Sequence, residues 1–247
     1  MELNLAGKRI LVTGGSGGIG SEICRILSKE GAEVIIHYGK SKSIAESVQK
    51  EITDAGGKAT ILGHNLSDTG SIADLKNKIL ETGKIDGLVN CAGIYGDADI
   101  DELTEKEWRE VLDTNLTAPI FVIRHLKDTI NDGGSIVNIS SVMGFKPVKF
   151  GISYQASKSA MIHLTRSLAV SLAPKLRVNC VAPGYIMTEM NREGWENDHF
   201  RSKIESITPM KRWGKPEDIA SVTAFLMSDA SSFTTGSTFI VDGGIGI

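Results

Sequence analysis

Short β-rich runs alternate with helical-period segments from one end of this chain to the other, and that alternation constrains the fold more than any other feature. The runs fall at 9–13, 33–37, 59–62, 87–90, 135–140, 178–182 and 238–242. Between them, Ile19, Ile23, Ile26 and Leu27 keep one apolar helix face. Thr104 and Glu107 have the spacing of a capping box for a helix carrying Trp108 and Val111, and Pro216 suits a first helical position. Strands joined by crossover helices pair in parallel with right-handed connections. The expected fold is therefore α/β, a doubly wound seven-stranded parallel sheet with helices on both faces and ligands at the strands' C-terminal edge.

The 247 residues are 41% hydrophobic and 23% charged, enough apolar material for one large core, so residues 1–247 read as a single domain and not as a disordered chain. The 27 basic and 30 acidic residues are mixed along the chain, with a formal charge of -3, which leaves no field for a nucleic-acid backbone. Cys24, Cys91 and Cys180 are odd in number and widely spaced, and read as buried, reduced thiols. His37, His64, His125, His163 and His199 stand at no metal-ligand spacing and read as surface or packing residues, so no metal site is expected. With no signal-like leader and no apolar run of bilayer length, the expected setting is cytoplasmic, away from membranes. The long irregular connection after 178–182 reads as a substrate lid over about 184–215, with Met187, Met190 and Trp195 as an apolar inner face.

Directly after the first run comes Thr13-Gly14-Gly15-Ser16-Gly17-Gly18-Ile19-Gly20, opening into a helix. Glycines at these positions permit positive φ and let backbone N–H groups and a helix N-terminus approach a pyrophosphate. The placement between strand and helix makes it a dinucleotide-binding turn of Rossmann type, with Gly14, Ser16, Gly18, Ile19 and Gly20 as contacts. A site for NAD usually sets an acid after the second strand, to meet the adenosine ribose. This chain has Tyr38-Gly39-Lys40-Ser41-Lys42 there, hydroxyls and positive charge suited to a 2′-phosphate. NADP(H) is the expected cofactor, with NAD(H) still able to fit.

Tyr154 and Lys158 lie at i and i+4, on one helix face about a turn apart. A free phenol is only about 0.1% ionised at neutral pH. An ammonium roughly 5 Å away in an effective dielectric near 20 contributes about 3 kcal/mol, which predicts a phenolate fraction of about 10%.

Taken together, Thr13-Gly14, Gly18-Ile19-Gly20, Asn90-Cys91-Ala92-Gly93, Asn115, Ser141, Tyr154, Lys158 and Pro183-Gly184 resemble the classical form of the short-chain dehydrogenase/reductase family over nearly the whole chain. The resemblance implies that Tyr154 exchanges the substrate proton, Ser141 positions the substrate oxygen, Lys158 also holds the nicotinamide ribose, and Asn115 supports a water relay to Lys158. It further implies that Asn90, Ala92 and Gly93 line the adenosine side, and that Pro183, Gly184, Ile186 and Thr188 meet the nicotinamide. Asn65, with Leu66, stands where relatives carry an acid toward adenine. Asn115 also reads as a buried amide at a helix kink, and Ser140 as the structural neighbour of Ser141.

Within the family the chain is most similar to 3-oxoacyl-(acyl-carrier-protein) reductases, which implies reduction of a 3-oxoacyl thioester by a homotetramer. Arg124, Lys127, Lys175 and Arg177 are the candidate contacts for an acidic carrier protein. Sugar and polyol dehydrogenases share the same residues, and a catalytically silent cofactor-binding sensor is a further alternative.

Overall fold

The computed structural model describes residues 3–247. Seven parallel strands form one sheet, in the order β3-β2-β1-β4-β5-β6-β7. They are β1 (Arg9–Thr13), β2 (Glu33–Tyr38), β3 (Lys58–Gly63), β4 (Ile85–Asn90), β5 (Ile130–Ile139), β6 (Leu176–Pro183) and β7 (Thr238–Val241). The helices are α1 (Gly18–Lys29), α2 (Lys42–Asp54), α3 (Thr69–Glu81), α4 (Glu105–Leu112), α5 (Ala118–Leu126), α6 (Ile152–Leu172), α7 (Arg192–Glu196), α8 (Asp198–Ile207) and α9 (Pro216–Met227).

The five inner strands are buried on both faces, the edge strands β3 and β7 less so, and side chains alternate between two cores. Ile10, Val12, Val34, Ile36 and Val137 join Ile23 and Leu27 of α1 and Ile219 and Ala224 of α9. Leu11, Ile35 and Ile136 face the other way, toward Leu75 of α3, Val122 of α5 and Ala169 of α6. Strand order reverses between β1 and β4, and the loops leaving these two strands diverge there to open a crevice at the C-terminal edge.

Three local expectations change. β5 starts at Ile130, earlier than its apolar run, because buried Ile130 pairs with Ile85 before the register shifts. The Thr104 side chain accepts from the Glu107 N–H, but the Glu107 carboxylate accepts from Ser153 Oγ at 3.2 Å, so only half of the capping box forms. The 184–215 connection is not irregular. It carries a 3-10 turn at Glu189–Asn191 followed by α7 and α8, and it docks through Ile204 and Trp213 onto Val142 and Ile245. Among the described residues, no helix is long and apolar enough to cross a membrane.

Candidate active site

A cavity of about 900 Å³ occupies the crevice, running from the 14–20 loop past Lys40 and Asn65 to Ser141, Tyr154 and Lys158. Two glycines of the loop are required by geometry. Gly14 sits at φ +65°, and a Cβ there would stand 2.7 Å from Ala92 Cα; a Cβ on Gly20 would stand 2.2 Å from the Gly14 carbonyl oxygen. The helix that follows has no side-chain cap on Gly17 and no acid in its first turn, so its N-terminal dipole opens onto the cavity uncompensated. This cradle fits a pyrophosphate.

The other end of the cavity suits an adenosine. Lys40 and Ser41 line it, whereas Lys42 pairs with Glu46 at 3.4 Å. Asn65 and Leu66 also line it; Asn65 Oδ1 accepts from the Ser67 N–H, which leaves the amide NH₂ to face a ligand. Tyr38 departs from expectation. Its ring lies over Gly63 on the neighbouring strand and packs against the core, so it is not part of the cavity wall. His37, read from sequence as a surface or packing residue, is buried and does line the cavity. Asn90, Ala92 and Gly93 form the floor. Asn90 Nδ2 donates to Asn138 Oδ1 at 2.9 Å, while its own Oδ1 is buried without a partner, an acceptor suited to a ligand donor.

At the chemical end, β5 delivers Ser140 and Ser141 and α6 delivers Tyr154 and Lys158. Ser140 Oγ donates to the Lys158 carbonyl at 2.7 Å and pins α6 to the sheet, and both Ser140 and Ser141 border the cavity. Lys158 is buried; its Nζ donates to the Ile139 carbonyl at 3.0 Å and stands 5.4 Å from the centroid of the Tyr154 ring. Tyr95 packs edge-on against Tyr154 at 5.0 Å between centroids.

The surroundings of Tyr154 act against the expected lowering of its pKa. Burial pushes its pKa up to about 12, a hydrogen bond with Ser141 pulls partly back, and Tyr95 and Cys91 push further up. Lys158 is turned to the Ile139 carbonyl, and burial holds its own pKa below the usual lysine value. The i, i+4 spacing shares a face, as expected, but desolvation outweighs any charge effect on the phenol. A phenol held neutral is a proton donor, and with the Ser141 hydroxyl it presents two donors to a carbonyl oxygen.

Asn115 lies just behind the cavity wall, in a π-type turn (Asp113–Thr117) joining α4 to α5. Its Oδ1 accepts from the Ile94 N–H at 2.8 Å, and Nδ2 donates to the Ile94 carbonyl at 2.9 Å and to Ser157 Oγ at 3.2 Å. The side-chain amide is spent on holding the loop after β4, as a buried amide at a helix kink would be.

Pro183, Gly184, Ile186 and Thr188 complete the wall. Thr188 N–H and Oγ–H both donate to Asn191 Oδ1, and Trp195 Nε1–H donates to the Thr188 carbonyl at 2.9 Å. Trp195 is thus an anchor for the start of the 184–215 segment. Met187 packs beside it at the Val142, Ile204, Trp213 and Ile245 cluster, whereas Met190 lines the cavity and is half exposed.

Arg177 does not reach the cavity entrance. It begins β6 at the opposite edge of the sheet and donates to the carbonyls of Leu226, Ser228 and Thr234, while Lys127 pairs with Asp128.

Residues 14–246 match the family model described as enoyl-(acyl carrier protein) reductase. The chain is 37% identical to the 3-oxoacyl-[acyl-carrier-protein] reductase of Chlamydia pneumoniae, covering 99% of both proteins. It is 35% identical to glucose 1-dehydrogenase 2 of Bacillus subtilis, over 99% of this chain and 97% of that one. Among solved structures, it is similar to a blue fluorescent protein from a metagenomic library in complex with NADPH, with a TM-score of 0.92 and 32% identity, over 99% of this chain and 100% of the other.

Proposed function

The chain belongs to the short-chain dehydrogenase/reductase family, and from that premise we propose that it reduces a 3-oxoacyl thioester to the 3-hydroxyacyl product, with NADPH preferred. As a member it is an oxidoreductase that interconverts CH–OH and C=O with a nicotinamide cofactor. One observation carries the reading: the half-buried phenol of Tyr154 stands with Ser141 and Lys158 on the wall of the same cavity that the glycine loop opens onto.

When bound, the cofactor supplies the hydride. The 14–20 loop and the α1 N-terminus hold its pyrophosphate, Lys40 and Ser41 its 2′-phosphate, and Asn65 and Leu66 its adenine. Asn90, Ala92 and Gly93 support the adenosine side. Lys158 and Tyr154 hold the nicotinamide ribose, and Pro183, Gly184, Ile186 and Thr188 the nicotinamide. Tyr154 Oη gives its proton to the substrate oxygen while the Ser141 hydroxyl donates to the same oxygen, stabilising the developing alkoxide. Asn115 fixes the loop beneath them, and the 184–215 segment works as a lid that excludes water. The chain works as one cytoplasmic domain within a homotetramer. Exposed Val170 on α6 and Ile240 on β7 support assembly through these two elements.

A second reading, a sugar or polyol dehydrogenase, is favoured by the inward turn of Arg177, which thins the surface offered to an acidic carrier. Loss of reduced-nicotinamide absorbance, followed with NADPH and NADH on 3-oxoacyl thioesters, free ketones and sugars, decides between them. Turnover confined to thioesters with NADPH supports the proposal. Sugar oxidation at higher rates overturns it, and cofactor binding without any turnover marks a silent sensor.

A further inference from the structure

β2 ends in a side chain that its apolar neighbours do not prepare for. His37 follows Val34, Ile35 and Ile36, is only 2% exposed, and lies under the glycine loop. The Gly14 N–H donates to its Nδ1 at 3.3 Å, the Gly15 N–H donates to its carbonyl at 2.8 Å, and its Nε2 stands 3.0 Å from the His64 carbonyl oxygen. Only one tautomer satisfies both ring contacts. Nδ1 must carry the lone pair that meets Gly14, so the proton sits on Nε2 and is donated to His64; the reverse arrangement would set donor against donor at one end and acceptor against acceptor at the other. Burial pushes the imidazole pKa down to about 4, so the ring is neutral under ordinary conditions.

This one ring joins three segments of the cavity wall: the loop after β1, the end of β2, and the turn after β3. The far end is itself fixed, since His64 Nε2 stands 3.0 Å from Asp74 Oδ2 and the His64 N–H donates to the Tyr38 carbonyl at 3.2 Å. His64 is followed directly by Asn65 and Leu66, so the crosspiece spans from the pyrophosphate-binding turn to the adenine wall.

We propose that His37 is a positioning residue for the adenosine half of the cofactor, a neutral strut that fixes the glycine loop relative to the turn carrying Asn65 and Leu66. This rests on reading the cavity as a nicotinamide dinucleotide site. An apolar side chain of similar size would fill the space but strand the Gly14 N–H and the His64 carbonyl, both at the cavity wall. Gly14 is also the residue held at positive φ, so loss of its acceptor acts where the loop conformation is most demanding.

Calorimetric titration of the full-length protein with NADPH, NADH and adenosine 2′,5′-bisphosphate, for wild type, His37→Leu and His37→Asn, tests the proposal. His37→Leu is expected to weaken binding of the preferred dinucleotide about tenfold, and KM for that cofactor should rise more than kcat falls. The bisphosphate, which carries only the adenosine half, should lose as much. His37→Asn, whose Oδ1 can accept from Gly14, should recover much of the loss. Nitrogen-15 NMR of the wild-type imidazole supplies a second readout that needs no variant: an unprotonated Nδ1 and a protonated Nε2. Equal affinities in wild type and His37→Leu, or a protonated Nδ1, would overturn the strut. Failure of wild type to bind either dinucleotide would instead overturn the reading of the cavity, and the strut with it.

Discussion

Replacing Asn115 with Leu separates what holds the site together from what performs its chemistry. The side chain is 2% exposed, and its amide satisfies both main-chain polar groups of Ile94. Leucine has a similar volume and no hydrogen-bonding capacity, so the part-buried Ile94 N–H and carbonyl lose their partners at the cavity wall. Ser157 Oγ suffers little, because it still donates to the Tyr154 carbonyl at 2.7 Å. Two stranded, part-buried groups at the low end of about 1–3 kcal/mol each give a cost of about 2 kcal/mol. For a chain of this size that is a fall in Tm of roughly 4–8 °C. Activity should fall as well: a Cβ built on Gly93, the residue before Ile94, lies 3.1 Å from Asn115 Oδ1 and 3.5 Å from Lys158 Nζ, so a loosened loop moves against the lysine. Scanning calorimetry and guanidinium unfolding read the stability, and steady-state kinetics the second effect. A leucine variant melting within about 2 °C of wild type would refute the reasoning, since it would show that the Ile94 main chain is satisfied without the amide.

Three other outcomes follow from the geometry. Lys40→Ala should raise KM for NADPH by roughly 10–100-fold, as expected for loss of a charge-assisted contact to phosphate, with little change for NADH; equal changes for both would remove Lys40 from the 2′-phosphate site. Gly14→Ala places a methyl 2.7 Å from the Ala92 main chain at a φ of +65°, so dinucleotide affinity measured by fluorescence should drop by more than about tenfold, and an unchanged affinity would contradict the cradle. Because the Tyr154 pKa is raised, the donor form persists as pH rises; carbonyl reduction should hold from roughly pH 7 to 9 while alcohol oxidation climbs, and a reductive rate falling through neutrality would contradict the assignment.

Much of this is legible in the sequence, for reasons that residue spacing captures. The β-rich run holding Ile10, Leu11 and Val12, the apolar face of α1 and the 14–20 loop are local patterns, and each appears in the structure as expected. So does the shared face of Tyr154 and Lys158, because it depends only on helical pitch. What spacing cannot convey is depth and aim. The phenol pKa is raised and not lowered because the surrounding protein desolvates it, with Tyr95 adding a smaller push, while Lys158 turns to the Ile139 carbonyl of the preceding strand. Tyr38 is withdrawn from the cavity by a neighbouring strand whose Gly63 leaves room for its ring. Helices α7 and α8 are masked in the sequence by short, polar, capped turns such as Asn197 at the start of α8, and Trp195 finds a main-chain acceptor that no local pattern announces. His37 reads as a mere surface or packing residue for the same reason, since its partners come from two other segments.

The most direct test of the account is Tyr154→Phe, which removes one oxygen and leaves the ring against Tyr95. With the preferred substrate and saturating cofactor, kcat should fall by about 10²–10⁴ while dinucleotide affinity stays within a few-fold of wild type. A phenylalanine variant that still turns over at near the wild-type rate would contradict the assignment of the proton to this phenol.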